Sequence, residues 1–177
     1  MCAPCITLRW EKKRVPLETV GEIIVDVDRE TAFRFVQVPE QLARCIPGCS
    51  DLREVGPGRF TATLTSEVSF MALKFQVVVE VARIEPPNEI EARITGRPTG
   101  ISGNLTATAA LRLMDAGPRR TLIRHSSNVG LTGKLGSLGQ PVFRAKSAEM
   151  SAKFAANLKA ALEASAAGTQ AAGQSRA

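Results

Sequence analysis

Tyrosine is absent from the 177-residue chain, and aromatic residues make up only 5% of it. That scarcity argues against a stacking platform for single-stranded nucleic acid, which needs several exposed rings. Histidine occurs once, at His125, so hydrolytic or zinc sites built on several histidines are excluded. No apolar run approaches the ~18 residues that a membrane-spanning helix needs. No apolar segment follows Met1 either, which predicts no secretory signal and a reducing, cytoplasmic setting. No Ser-His-Asp or paired-carboxylate constellation for acid/base chemistry can be placed on one face, so no catalytic residue is assigned.

What is present is ordinary for one globular domain. Hydrophobic residues are 44% and charged residues 23% of the chain, and the formal net charge is +6. A basic balance favours an acidic partner or an anionic surface without choosing between them. The basic residues are scattered except for Arg9, Lys12, Lys13 and Arg14, which flank the single tryptophan, Trp10. Each could add about 1 kcal/mol near an anionic bilayer. That allows peripheral contact with the inner face of the cytoplasmic membrane, while a solvated basic face remains the plainer reading. Residues 1–17 read as an N-terminal extension, disordered or a mis-assigned start; residues 18–164 read as one domain and 165–177 as a disordered Ala/Gly/Gln/Ser tail.

The periodicities predict an α+β chain. Thr19 to Val27 alternates as a strand, and Asp28 is placed to cap a helix from Arg29 to Val36. A second short helix, Pro39 to Cys45, stops at Pro47-Gly48, where proline removes a donor and glycine permits a sharp turn. Leu42, Cys45 and Ile46 are expected to face inward. A series of antiparallel strands follows, with period-two alternation from Arg59 to Leu131 and turns at Gly56-Pro57-Gly58, Pro86-Pro87-Asn88 and Asp115-Ala116-Gly117-Pro118. Gly96 to Gly103 reads as a loop. The inward-facing set includes Phe75, Val77, Leu105, Ala107, Ala109, His125 and Ser127, and its small members leave room for a ligand or for a packed helix. A glycine-rich joint, Gly133 to Gly139, precedes a helix from Gln140 to about Ala164 whose stripe is Phe143, Met150, Phe154, Leu158 and Leu162. Arg144, Lys146, Lys153 and Lys159 are expected mostly off that stripe. Strand, two helices, six strands and a long helix is the helix-grip order: a curved antiparallel sheet of about seven strands wrapped around a C-terminal helix.

Several local patterns invite chemistry that they do not support. Cys2-x-x-Cys5 with Cys45-x-x-x-Cys49 has thiols enough for a zinc site, but Cys2 and Cys5 sit near the terminus, and structural thiols are the favoured reading. Gly130 to Lys134 lacks a glycine at Asn128 and a hydroxyl at Leu135, so it is not a phosphate loop. His125 falls on the interior face, either as a core histidine or as a hydrogen-bonding group for the polar end of a ligand.

Two stretches carry a family resemblance. Pro39-Glu40-Gln41-Leu42-Ala43, followed by Cys45-Ile46-Pro47-Gly48-Cys49, resembles the signature of the carbon monoxide dehydrogenase G-subunit family. Gly133-Lys134-Leu135-Gly136-Ser137-Leu138-Gly139 resembles that family's joint before the last helix. The resemblance spans about Leu17 to Ala164. It implies a START-like (SRPBCC) helix-grip domain that encloses a hydrophobic molecule, and a non-enzymatic role beside molybdenum hydroxylase subunits, in membrane recruitment or coupling to the quinone pool. It implies no resident cofactor, only a bound quinone or lipid. Some members carry a membrane-anchoring C-terminal extension, from which this short polar tail departs. The expected ligand contacts are Ile46, Phe75, Val77, Leu105, Ala107, His125, Met150 and Phe154; the expected motif positions are Cys45, Pro47, Gly48, Cys49, Gly133, Lys134 and Gly139. Two other readings of the same fold stay open: a polyketide cyclase or aromatase, and a scaffold whose interior is filled by its own side chains.

Overall fold

The computed structural model describes residues 17–68, 71–137 and 140–174. Seven strands form one antiparallel sheet: β1 (Leu17–Val25), β2 (Cys49–Gly56), β3 (Arg59–Val68), β4 (Met71–Glu85), β5 (Glu89–Pro98), β6 (Leu105–Asp115) and β7 (Thr121–Leu131). Their spatial order is β1-β7-β6-β5-β4-β3-β2. Every connection from β2 to β7 joins neighbours, and only the first strand crosses over to pair with the last. The curved sheet closes on a long helix, which is the helix-grip arrangement that the element order predicts.

Two short helices fill the crossover, α1 (Arg29–Val36) and α2 (Pro39–Cys45). Asp28 caps α1: its carboxylate accepts from the Thr31 amide at 2.9 Å, and that backbone hydrogen bond holds the carboxyl below its usual range. Ala32, Phe33 and Val36 form the buried side of α1. Pro39 opens α2, where its missing N–H costs nothing. Gly48 follows with φ +74, and a Cβ there would lie 2.0 Å from the Thr65 carbonyl oxygen. The Thr65 amide in turn donates to Gly48 O at 2.8 Å, so the turn is stitched to β3 by its backbone.

Four boundaries differ from the sequence reading. Leu17 belongs to the sheet and not to the extension: it is buried and pairs with Val129. β5 runs on to Pro98, so the first part of the Gly96 to Gly103 stretch is strand; Gly96 pairs with Val77 and Leu105. The joint contains a helical turn, α3 (Gly133–Gly136), with Gly133 at φ +69 packed against Gly103. Gly139 lies outside the described residues, as do residues 1–16. Finally, α4 spans Gln140–Gln174, ten residues past the predicted end and into the segment expected to be a disordered tail. Alanine is the commonest residue of that stretch, and it has the highest helix propensity of any residue.

The interior holds two separate packed clusters. One joins α1, Ile23, Val25, Leu113 and Ile123 to Leu158 and Leu162 of α4. The other joins Ala62, Leu73, Phe75 and Val77 to Leu135 and Phe143. The apolar stripe of α4 is therefore divided. Its ends are buried in one cluster or the other, and the turns from Lys146 to Phe154 border the space between.

Candidate functional site: an apolar cavity between sheet and helix

That space is a cavity of about 430 Å³, within the size range of small-molecule sites. Its position follows from side-chain size. Across three adjacent strands, Ala92, Ala109 and Ser127 are directly paired, and all three border the cavity. Small side chains in one row of a curved sheet cannot reach the helix, so a void stays open beneath α4. Below this row Leu111 faces His125, and above it Ile94, Ala107 and Val129 lie side by side.

All eight expected contact residues border the cavity: Ile46, Phe75, Val77, Leu105, Ala107, His125, Met150 and Phe154. Of the motif positions, Pro47 and Cys49 also border it. Cys45 is buried instead, with its carbonyl accepting from Asn157 Nδ2 of α4 at 3.1 Å. Gly48 shapes the turn, and Gly133 and Lys134 belong to α3. Burial pushes both the Cys45 and the Cys49 thiols up, which keeps them protonated and unreactive. Among the described residues, no three His, Cys, Asp or Glu side chains are grouped as a metal site.

His125 is 8% exposed. Its ring meets Phe154 edge-on, with centroids 5.5 Å apart. Burial lowers its pKa, so the neutral imidazole is favoured. Opposite it stands Gly21 of β1, where a Cβ would lie 2.3 Å from His125 Nε2. The glycine makes room for the ring. Strand alternation alone does not single out Gly21, although a glycine inside a strand often marks such a close approach.

Lys146 departs from its expected place. Patterning puts it off the apolar stripe, yet it borders the cavity. A signal exists in the sequence: position 146 is three after Phe143 and four before Met150, the spacing of one helix face. Its side chain is 21% exposed and its ammonium pairs with Glu149 Oε2 at 3.1 Å. Lys153 holds the same carboxylate at 2.6 Å, and the two lysines lower the Glu149 pKa. Ser147 and Ser151 complete this side of the wall.

A curved antiparallel sheet gripping a C-terminal helix over an apolar cavity defines the START-like helix-grip fold. Solved structures agree. A conserved protein from Geobacillus kaustophilus matches with a TM-score of 0.75 at 21% identity, over 84% of this chain and 97% of that one. A START superfamily protein from Mycobacterium smegmatis gives 0.64 at 14%, over 82% and 97%. The ZhuI aromatase/cyclase from Streptomyces gives 0.63 at 12%, over 84% and 94%. At these identities the likeness is one of fold. Within that class the chain belongs to the carbon monoxide dehydrogenase G-subunit (CoxG) family, whose profile matches residues 21–163. A search of curated protein sequences returns no match.

Proposed function

We propose that this protein is a non-enzymatic carrier of a hydrophobic molecule, a quinone or a lipid. In this reading it serves a molybdenum hydroxylase of the carbon monoxide dehydrogenase type, bringing it to the membrane or linking it to the quinone pool. The observation that carries the proposal is the 430 Å³ cavity with its almost wholly aliphatic and aromatic wall. At about 30 Å³ per water-sized group, that space admits on the order of fourteen heavy atoms. Burying ten aliphatic carbons at ~0.8 kcal/mol each contributes roughly 8 kcal/mol before ordering costs. That corresponds to about micromolar affinity, strong enough to load a carrier and weak enough to release its load.

Family membership supports the partner, since the family takes its name from carbon monoxide dehydrogenase. The wall supports carriage over turnover. His125 is its only imidazole, and no described carboxylate faces the cavity to form an acid/base pair with it. Among the described residues no helix is long and apolar enough to cross a membrane.

Native mass spectrometry of the purified full chain, before and after incubation with menaquinone or ubiquinone, tests the proposal. A bound quinone or lipid, or uptake of one, is the expected result. An empty protein that takes up neither quinone, nor a long-chain fatty acid added in the same way, overturns the carrier reading and leaves an interaction scaffold. Capture of the purified hydroxylase subunits by the loaded protein, with none by an unrelated START-like domain, tests the partner.

A further inference from the structure

We propose that the cavity selects a chain-like amphiphile with an acidic head, a carboxylate or phosphate monoester, and that Lys146 recognises that head. The inference deepens the carrier reading and rests on it. Among the described residues that border the cavity, Lys146 is the only one with a formal charge; none is Asp, Glu or Arg. A cationic head would meet this ammonium with no counter-charge in the wall. A neutral head would gain a hydrogen bond but no charge pairing.

The geometry of Lys146 suits a rim residue. It borders the cavity with its side chain only 21% exposed, and its ammonium pairs with Glu149, which is 44% exposed. Glu149 is shared with Lys153 at 2.6 Å. When Lys146 turns to a ligand anion, the carboxylate therefore keeps one cation, and the exchange costs little at an exposed pair. Ser147 and Ser151 border the cavity on the same helix and supply further donors to an anionic oxygen.

The tail direction follows from α4. Lys146 and Phe154 are eight residues apart and both border the cavity, so at 1.5 Å per residue they are separated by about 12 Å along the axis. Met150 lies between them. A head at Lys146 thus directs its chain past Met150 towards Phe154 and His125. The ligand lies head at the rim and tail inside.

Three ligands of equal chain length test this against the full-length protein, by displacement of a fluorescent fatty acid below micellar concentrations. They are laurate, dodecyl phosphate and dodecan-1-ol, whose chains suit the volume available. Laurate or dodecyl phosphate is expected to bind roughly tenfold more tightly than the alcohol, and the stronger of the two identifies the head group. Lys146→Met is expected to erase the difference by weakening the acids alone, while Lys146→Arg keeps it. Thermal melts of both variants check that they fold. Equal binding of alcohol and acid, or a preference that survives Lys146→Met, overturns the inference. Binding of menaquinone but of neither acid also overturns it, and leaves the carrier reading standing. If no ligand of any class binds, both fall.

Discussion

Whether the interior is hollow can be decided with one substitution, Ala109→Phe. Ala109 is the middle residue of the small row, paired with Ala92 on one side and Ser127 on the other. Phenylalanine adds six ring carbons that point into the cavity. At ~0.8 kcal/mol per carbon, their complete burial would contribute at most roughly 5 kcal/mol. Side-chain ordering and imperfect contact reduce this, and a net gain of about 1–2 kcal/mol is expected. For a domain of this size that raises Tm by about 2–8 °C. In a filled interior the same ring would be overpacked, lowering stability by about 1–3 kcal/mol. The ring also takes on the order of 180 Å³ at ~30 Å³ per heavy atom, out of the 430 Å³ available. Ligand uptake should therefore fall by about two decades or more. Differential scanning calorimetry and native mass spectrometry on one sample read both effects. A lower Tm with unchanged uptake would refute the reasoning.

Three further outcomes are expected. Because burial depresses the His125 pKa, the unfolded chain binds the extra proton first as pH falls below about 6.5. Stability should then decline below that pH and be flat above it, and His125→Leu should remove this part of the slope in urea titrations at pH 5 to 8. Gly21→Ala places a Cβ 2.3 Å from His125 Nε2 and should cost about 1–3 kcal/mol; combined with His125→Ala it should cost less than the sum of the two singles, because the clash is gone. Gly48→Ala meets both positive φ and the Thr65 carbonyl at 2.0 Å, whereas Gly117→Ala at φ +125 meets no atom within 4 Å. Chemical denaturation should show the first to be more destabilising by at least about 1 kcal/mol.

The fold is legible in the sequence because each rule it obeys is local. Alternation along Arg59 to Leu131 fixes which side chains face inward. Asp28 marks a helix start, and Pro47-Gly48 marks a stop. The C-terminal stretch is harder to read, because its Gly and Gln content suggests disorder while its alanines favour continuing α4 to Gln174. The cavity is legible only in part. Ala109 and Ser127 are visibly small, but their pairing into a row with Ala92 depends on the β5–β6 and β6–β7 registers. Those registers are set by long-range contacts that no single strand encodes.

Lys146 shows where one-dimensional patterning misleads. A hydrophobic stripe is drawn through apolar residues, so a lysine at stripe spacing is assigned to the polar face. Yet the side chain has two ends: its methylenes can line an apolar wall while the ammonium stays at the surface. In a filled core this is only a means of solvation. Beside an apolar cavity with no other charge in its described wall, the same arrangement offers a cation to the polar end of the proposed amphiphile. The residue that breaks the helical pattern is thus the one with the clearest claim to ligand selectivity. In the carrier reading, the apolar residues that obey the pattern supply affinity for almost any greasy chain of suitable length.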